Sequence, residues 1–289
     1  MRYRDRKGNT YIVENGQEKM LPFLYGTVPG RMLLKLLTCR PVSKIVGLWQ
    51  STPFSALTID RFIMNNNIRM KDYIPTKYSS FNDFFARKIR RSRRPICEDE
   101  QALITPSDGK VLAYRIKDDL SVKIKNRTYT LNELFDGDDV TQEFGGGFLY
   151  VIRLTVDNYH RYSYVDSGTK SENTFIKGKL HTVNPVALDH VPVFHENCRE
   201  YTVIDGDNIG RHVMMEVGAM LVGRIVNHHG AGRVKRGAEK GFFMFGGSTI
   251  VLLTKKDIVP DNDILFNTRK GIETLVKLGE QIGHKKGTL

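Results

Sequence analysis

Cysteine is scarce. Cys39, Cys97 and Cys198 are three in 289 residues, widely separated and odd in number, which argues against a disulfide framework and fits a reducing compartment. None stands in a Cys-x-x-Cys pair, so a thiolate zinc site is not expected. Tryptophan occurs once, at Trp49. No apolar run reaches the roughly 18 residues that a membrane-crossing helix needs. Met1-Arg-Tyr-Arg-Asp-Arg-Lys7 is not followed by the apolar stretch of a secretory signal. The chain also lacks internal repeats, low-complexity segments, a Walker loop and a GxGxxG turn after a strand, so no nucleotide cofactor is expected.

What is present is ordinary in amount and unusual in charge. Apolar residues make up 40% and charged residues 26%, enough for one large core or two small ones. The formal net charge is +12, which points to an anionic partner: nucleic acid, an acidic lipid surface or an acidic substrate.

The first 20 residues are polar, and Thr10-Tyr-Ile-Val13 ahead of Asn15-Gly16 predicts a small hairpin or strand end. From Leu21 to about Arg94 the pattern is helical. Arg31-Met-Leu-Leu-Lys-Leu-Leu37, Lys44-Ile-Val-Gly-Leu-Trp-Gln50 and Ile59-Asp-Arg-Phe-Ile-Met64 carry it, and Pro41 and Pro53 divide it. Ser80 and Asp83 have the spacing of a helix-capping pair. Six cations follow between Arg87 and Arg94. From about Ile96 the chain breaks into short apolar runs with frequent glycine, a β-rich pattern with one short helix near Leu131-Asn-Glu-Leu-Phe135. The expectation is an α+β protein: a mainly helical, basic region over 1–95 and a β-rich core over 96–289.

Three residues could carry chemistry. Ser248 lies in Gly246-Gly-Ser-Thr249, between the apolar runs Gly241-Phe-Phe-Met-Phe245 and Ile250-Val-Leu-Leu253. A glycine pair permits a strained turn in which the hydroxyl can attack the preceding carbonyl, although a strand with a glycine bulge has the same signature. Asp108, in Pro106-Ser-Asp-Gly-Lys110, reads as a turn residue or as a carboxylate that orients a histidine. His160, in Asp157-Asn-Tyr-His-Arg161, follows the apolar run Leu149 to Val156 and reads as a solvated strand end or as a base. His228-His229 beside Gly230-Ala-Gly232 reads as a loop, because adjacent strand residues face opposite ways and cannot share a metal.

With Phe81-Asn-Asp-Phe-Phe-Ala-Arg87 and Thr105-Pro-Ser-Asp-Gly-Lys-Val111, the Asp157–Arg161 and Phe245–Thr249 segments resemble, in their order, the phosphatidylserine decarboxylase family. The likeness runs from about Phe81 to about Thr254. It implies self-cleavage at Gly247–Ser248 into a β chain of residues 1–247 and an α chain of residues 248–289, with Ser248 becoming a covalent pyruvoyl group. That group would decarboxylate phosphatidylserine to phosphatidylethanolamine through a Schiff base, in phospholipid biosynthesis. The implied site is Ser248, Asp108 and His160, with no metal. The implied partners are phosphatidylserine in an anionic membrane and the two chains held as a heterodimer, further dimerisation being open. A peripheral place on the cytoplasmic face of the cell membrane follows, with the basic helical region toward lipid and no nucleic acid.

The chain departs from the family at one point. Tyr159-His-Arg-Tyr-Ser163 has serine where a second histidine is expected. Either His160 serves both steps, or one of His181, His190, His195, His228 and His229 reaches in, or processing is slow or absent. Three rivals stand beside the main reading. One is a serine hydrolase built on Asp108, His160 and Ser248, although Thr249-Ile250 breaks the GxSxG elbow. The second is a decarboxylase of another amino-acid-bearing substrate. The third is a basic nucleic-acid-binding protein without catalysis.

Overall fold

The short apolar runs after Ile96 become strands, and most of them join one sheet. The computed structural model describes residues 2–12, 16–124, 127–183, 190–219, 224–245 and 248–287. Among these, an eleven-stranded sheet runs in the order Gly232–Val234, Gly168–Lys170, Arg199–Gly206, Arg211–Val217, Ser248–Thr254, Phe148–Leu154, Gly109–Arg115, Glu273–Val276, Arg2–Arg4 and Thr10–Ile12. Thr174–Ile176 adds to the side of Arg199–Gly206. Pairing is antiparallel except where Arg2–Arg4 lies parallel to Glu273–Val276. Three smaller sheets accompany it. The strand Ser248–Thr254 is buried along its whole length, as expected of a nearly continuous apolar run with partners on both edges.

Two details sharpen the sequence reading. The two apolar runs around the glycine pair form separate strands. Glu239–Phe243 belongs to a small sheet with Ile225–Asn227 and Arg161–Ser163, while Ser248–Thr254 is central to the large one. The pair Gly246-Gly247 lies outside the described residues, and with it the bond expected to be cut. The N-terminal hairpin turns over Asp5–Asn9, and its second strand, Thr10–Ile12, ends ahead of Asn15-Gly16. The Asp5 carboxylate accepts the N–H groups of Lys7 and Asn9, and Gly8 takes the left-handed φ of 87° that the turn requires. Asn15 is outside the described residues, and Gly16 opens a helix.

The helical region holds α1 (Gly16–Gly26), α2 (Val28–Leu37), α3 (Arg40–Gln50), α4 (Ile59–Asn65) and α5 (Phe81–Phe85). Several of its prolines start helices: Pro29 and Pro41 sit in the first turns of α2 and α3, and Pro53 opens a 3-10 turn, where a missing N–H is harmless and φ is already helical. Ser80 caps α5, its hydroxyl accepting the Asp83 N–H at 3.2 Å. The short helix Leu131–Leu134 lies where the pattern predicts it.

Leu21, Leu24 and Tyr25 of α1 and Leu34 of α2 are buried in the main core. Other apolar side chains of these helices face outward: Met32 is 71% exposed, Leu36 58%, Ile45 66% and Trp49 50%. No helix among the described residues is long and apolar enough to cross a membrane. A second, aromatic core of Phe81, Phe84, Phe85, Tyr73 and Tyr159 joins α5 to the loop before His160, with Phe245 packed against it.

Candidate active site

Ser248 is the first residue of its strand, paired with Leu154. Its side chain is fully buried, and its Oγ has no hydrogen-bond partner among the described residues. A buried hydroxyl without a partner carries a desolvation cost.

Phe245, three residues ahead of Ser248, is clamped. Its N–H donates to Asn82 Oδ1 at 3.2 Å. Asn82 Nδ2 in turn donates to the Gly47 carbonyl and the Ser51 hydroxyl, tying α5 to the end of α3. The Phe245 ring meets Phe81 and Phe85 edge-on, at centroid distances of 5.1 and 5.3 Å. The motif Phe81–Arg87 gives Asn82 no task when read as sequence; the clamp is that task.

His160 lies in the same aromatic nest, its ring 4.0 Å from that of Phe85. Nδ1 is 2.9 Å from the Asn158 carbonyl. A carbonyl only accepts, so the hydrogen is on Nδ1, and Nε2 is left as a bare acceptor. That Nε2 is buried and has no partner among the described residues. Burial, and then the nearby Arg87 guanidinium, lower the imidazole pKa to about 3, so the ring is neutral at neutral pH. Arg87, also buried, reaches the carbonyls of Asp157 and Asn158 and stacks on Tyr73 and Phe84. It thereby fixes the loop that fixes the tautomer.

Asp108 is held elsewhere. Arg94 grips it with Nε at 2.6 Å and Nη2 at 2.5 Å, and the Leu278 N–H donates to it at 2.9 Å. Among the described residues no hydrogen bond joins Asp108, His160 and Ser248 to one another. Ser163 does approach the Asp108 turn, its N–H donating to the Pro106 carbonyl at 2.9 Å. A histidine at 163 would therefore stand beside that turn.

The other histidines that the sequence offers contact partners other than Ser248. His181 contacts Tyr25 and Glu196, His228 contacts Glu239, and His229 contacts the Tyr164 hydroxyl. His190 stacks on Tyr25, and His195 meets Tyr129 edge-on. His228 and His229 lie in a loop, and among the described residues no group of three or more His, Cys, Asp or Glu could hold a metal ion. The cation run is split: Arg87 is buried and Arg94 binds Asp108, while Lys88, Arg90, Arg91 and Arg93 are exposed, Arg90 donating to the Tyr73 carbonyl and Arg93 pairing with Asp72.

A cleft of about 650 Å³ opens between α3 and the sheet. Phe245 and Asn82 line it beside Lys44, Cys198, Glu200 and Arg224. Nothing in the sequence pattern points to these last four, because the cleft gathers them from three distant segments.

A family model described as phosphatidylserine decarboxylase matches residues 81–284. The phosphatidylserine decarboxylase proenzyme 2 of Clostridium acetobutylicum is 44% identical over 93% of this chain and 92% of its own length. The phosphatidylserine decarboxylase proenzyme of Clostridium perfringens is 41% identical over 97% of this chain and 98% of its own. That of Ruminiclostridium cellulolyticum is 40% identical, over 97% and 96%.

Proposed function

The chain belongs to the phosphatidylserine decarboxylase family, and on that premise we propose that it converts phosphatidylserine to phosphatidylethanolamine with a pyruvoyl group made from its own Ser248. The observation that carries this reading is the buried Ser248 Oγ, without a hydrogen-bond partner among the described residues, at the start of a central strand. The residues around it fit such a group: a buried strand end, a clamped Phe245 on its N-terminal side, and a neutral imidazole in the aromatic nest that packs Phe245. When formed, a pyruvoyl carbonyl supplies an electron sink for an amino-acid substrate.

The chain's own side chains divide the work as follows. Ser248 provides the hydroxyl that attacks the preceding carbonyl. His160, neutral and with Nε2 bare, is the group able to take up a proton in the buried site. Asp108 is a positioning residue: through Arg94 and the Leu278 N–H it holds the turn against which Ser163 rests. After cutting at Gly247–Ser248 the chains 1–247 and 248–289 stay together as a heterodimer, because the strand Ser248–Thr254 has sheet partners on both edges. The helical region ending near Pro95 associates with an anionic membrane through the outward apolar residues of α2 and α3, on the cytoplasmic face.

The serine hydrolase reading is not favoured. A catalytic triad needs hydrogen bonds from serine to histidine to aspartate, and Arg94 occupies the Asp108 carboxylate.

The test is the intact mass of the denatured protein together with decarboxylation of phosphatidylserine vesicles. Two chains divided at Gly247–Ser248, and a Ser248→Ala protein that is uncut and inactive, are the expected results. A cut and active Ser248→Ala protein refutes the assignment.

A further inference from the structure

The cleft beside Phe245 carries three charged side chains, Lys44, Glu200 and Arg224. Its floor is continuous with the sheet face that bears Ser248. Glu200 pairs with Glu216, and Glu216 pairs with Ile250. Directly paired residues share a face, and so do residues two apart on a strand, so Glu200 and Ser248 point to the same side. Cys198 and Gly218 continue that row and line the cleft. A Cβ on Gly218 would stand 2.8 Å from Cys198 Sγ, so the glycine keeps that floor open.

Glu200 is held in place from behind. Asn227 Nδ2 donates to Glu200 Oε1 at 2.9 Å and to Glu216 Oε2 at 3.1 Å. Lys240 Nζ, fully buried, donates to Glu216 Oε2 at 2.7 Å and to Asn227 Oδ1 at 2.8 Å. A buried ion pair of this kind contributes little net stability against its desolvation cost. Its effect is to fix the Asn227 amide, and through it the Glu200 carboxylate at the cleft wall.

We infer that this cleft is the headgroup subsite for an amino-acid phosphodiester, with Glu200 set against the substrate ammonium and Arg224 and Lys44 set against its phosphate and carboxylate. The inference rests on the decarboxylase reading and adds the residues that select the substrate. Two cations and one carboxylate mirror a phosphoserine headgroup, which carries two negative groups and one positive. A phosphoglycerol headgroup has no ammonium and leaves the Glu200 carboxylate opposite a neutral hydroxyl, without a charge partner. An unpaired charge of that kind discriminates between ligands of similar size.

The test uses the uncut Ser248→Ala protein and calorimetric titration with glycerophosphoserine, glycerophosphoethanolamine and glycerophosphoglycerol. The serine compound should bind more tightly than the other two. Adding Glu200→Gln should cut its advantage over the glycerol compound by about tenfold, the size of one charge-assisted hydrogen bond. Arg224→Gln and Lys44→Gln should each weaken the serine compound. Equal affinity for all three, no measurable affinity for the serine compound, or an unchanged ratio in Glu200→Gln overturns the inference. In the chain that retains Ser248, Glu200→Gln should still be cut into two chains, which reports an intact fold, and should raise KM more than it lowers kcat. An uncut wild-type chain without decarboxylation would instead sink the functional reading, whatever the headgroup titrations give.

Discussion

Replacing His160 should flatten the acid side of the stability curve. The folded ring has a pKa of about 3, against an ordinary value of 6.5. Above pH 6.5 both folded and unfolded chains hold a neutral ring, and the group contributes no pH dependence. Between 6.5 and 3 the unfolded chain takes up a proton that the folded chain refuses, so stability falls as pH falls. At about 1.4 kcal/mol per pH unit, the full penalty is roughly 5 kcal/mol, and the part lost between pH 7 and pH 5 is about 2 kcal/mol. The assay is urea unfolding at those two pH values, on Ser248→Ala protein so that the unfolding chain is one molecule. His160→Gln should reduce the pH 7 to pH 5 decline by about 2 kcal/mol. His212, also buried with a lowered pKa, is present in both proteins and cancels in the difference. Parallel declines with and without His160 would refute a buried neutral ring. One functional consequence follows: an acid limb of activity above pH 5 belongs to some group other than His160.

Three further outcomes are expected. Arg153 binds Glu273 through two hydrogen bonds of 2.8 and 2.5 Å inside the core, linking the strand Phe148–Leu154 to Glu273–Val276; Arg153→Met should cost about 3–5 kcal/mol, and a loss under about 1 kcal/mol by urea unfolding would contradict it. Ser163→His should keep or speed self-cleavage, followed by the appearance of two chains on a denaturing gel; complete loss with native circular dichroism would mean that position 163 does not serve the cut. Trp49, the sole tryptophan, lies half-exposed on α3, so its emission should shift to the blue with phosphatidylserine vesicles and not with neutral phosphatidylcholine ones. Identical emission in both would remove α3 from the membrane-facing surface.

Local signals in the sequence carry far, and long-range ones do not. Prolines and the Ser80 hydroxyl mark helix starts because capping and φ restriction act within one turn. The strand at Ile250–Leu253 is visible as an apolar run. By contrast, the division of that run from Gly241–Phe245 into two sheets depends on partners far away along the chain, in Arg161–Ser163 and Phe148–Leu154, which no local pattern reports. The site behaves likewise. Ser248, His160 and Asp108 stand out in short motifs, but the grip of Arg94 on Asp108 and the Asn82 clamp on Phe245 arise only when distant segments meet. The cation run is divided in the same way: Arg87 and Arg94 are drawn into contacts with distant segments, while Lys88, Arg90, Arg91 and Arg93 stay exposed.

The position of Ser248–Thr254 in the large sheet has a consequence for the life of the molecule. Before a cut at Ser248, every strand belongs to one chain, and loop closure brings Ser248–Thr254 between its neighbours at a high effective concentration. If the chain is cut there as proposed, the same strand is part of a 42-residue fragment, 248–289, that would have to be recaptured from solution. It would then have to rejoin not only Arg211–Val217 and Phe148–Leu154 but, through Glu273–Val276 and Gln281–Lys285, three further strands, Gly109–Arg115, Arg2–Arg4 and Ala102–Ile104. Unfolding of a protein so cut would be a dissociation, and its recovery would depend on concentration. The persistence of such a protein is set by how slowly it opens, not by how readily it folds again.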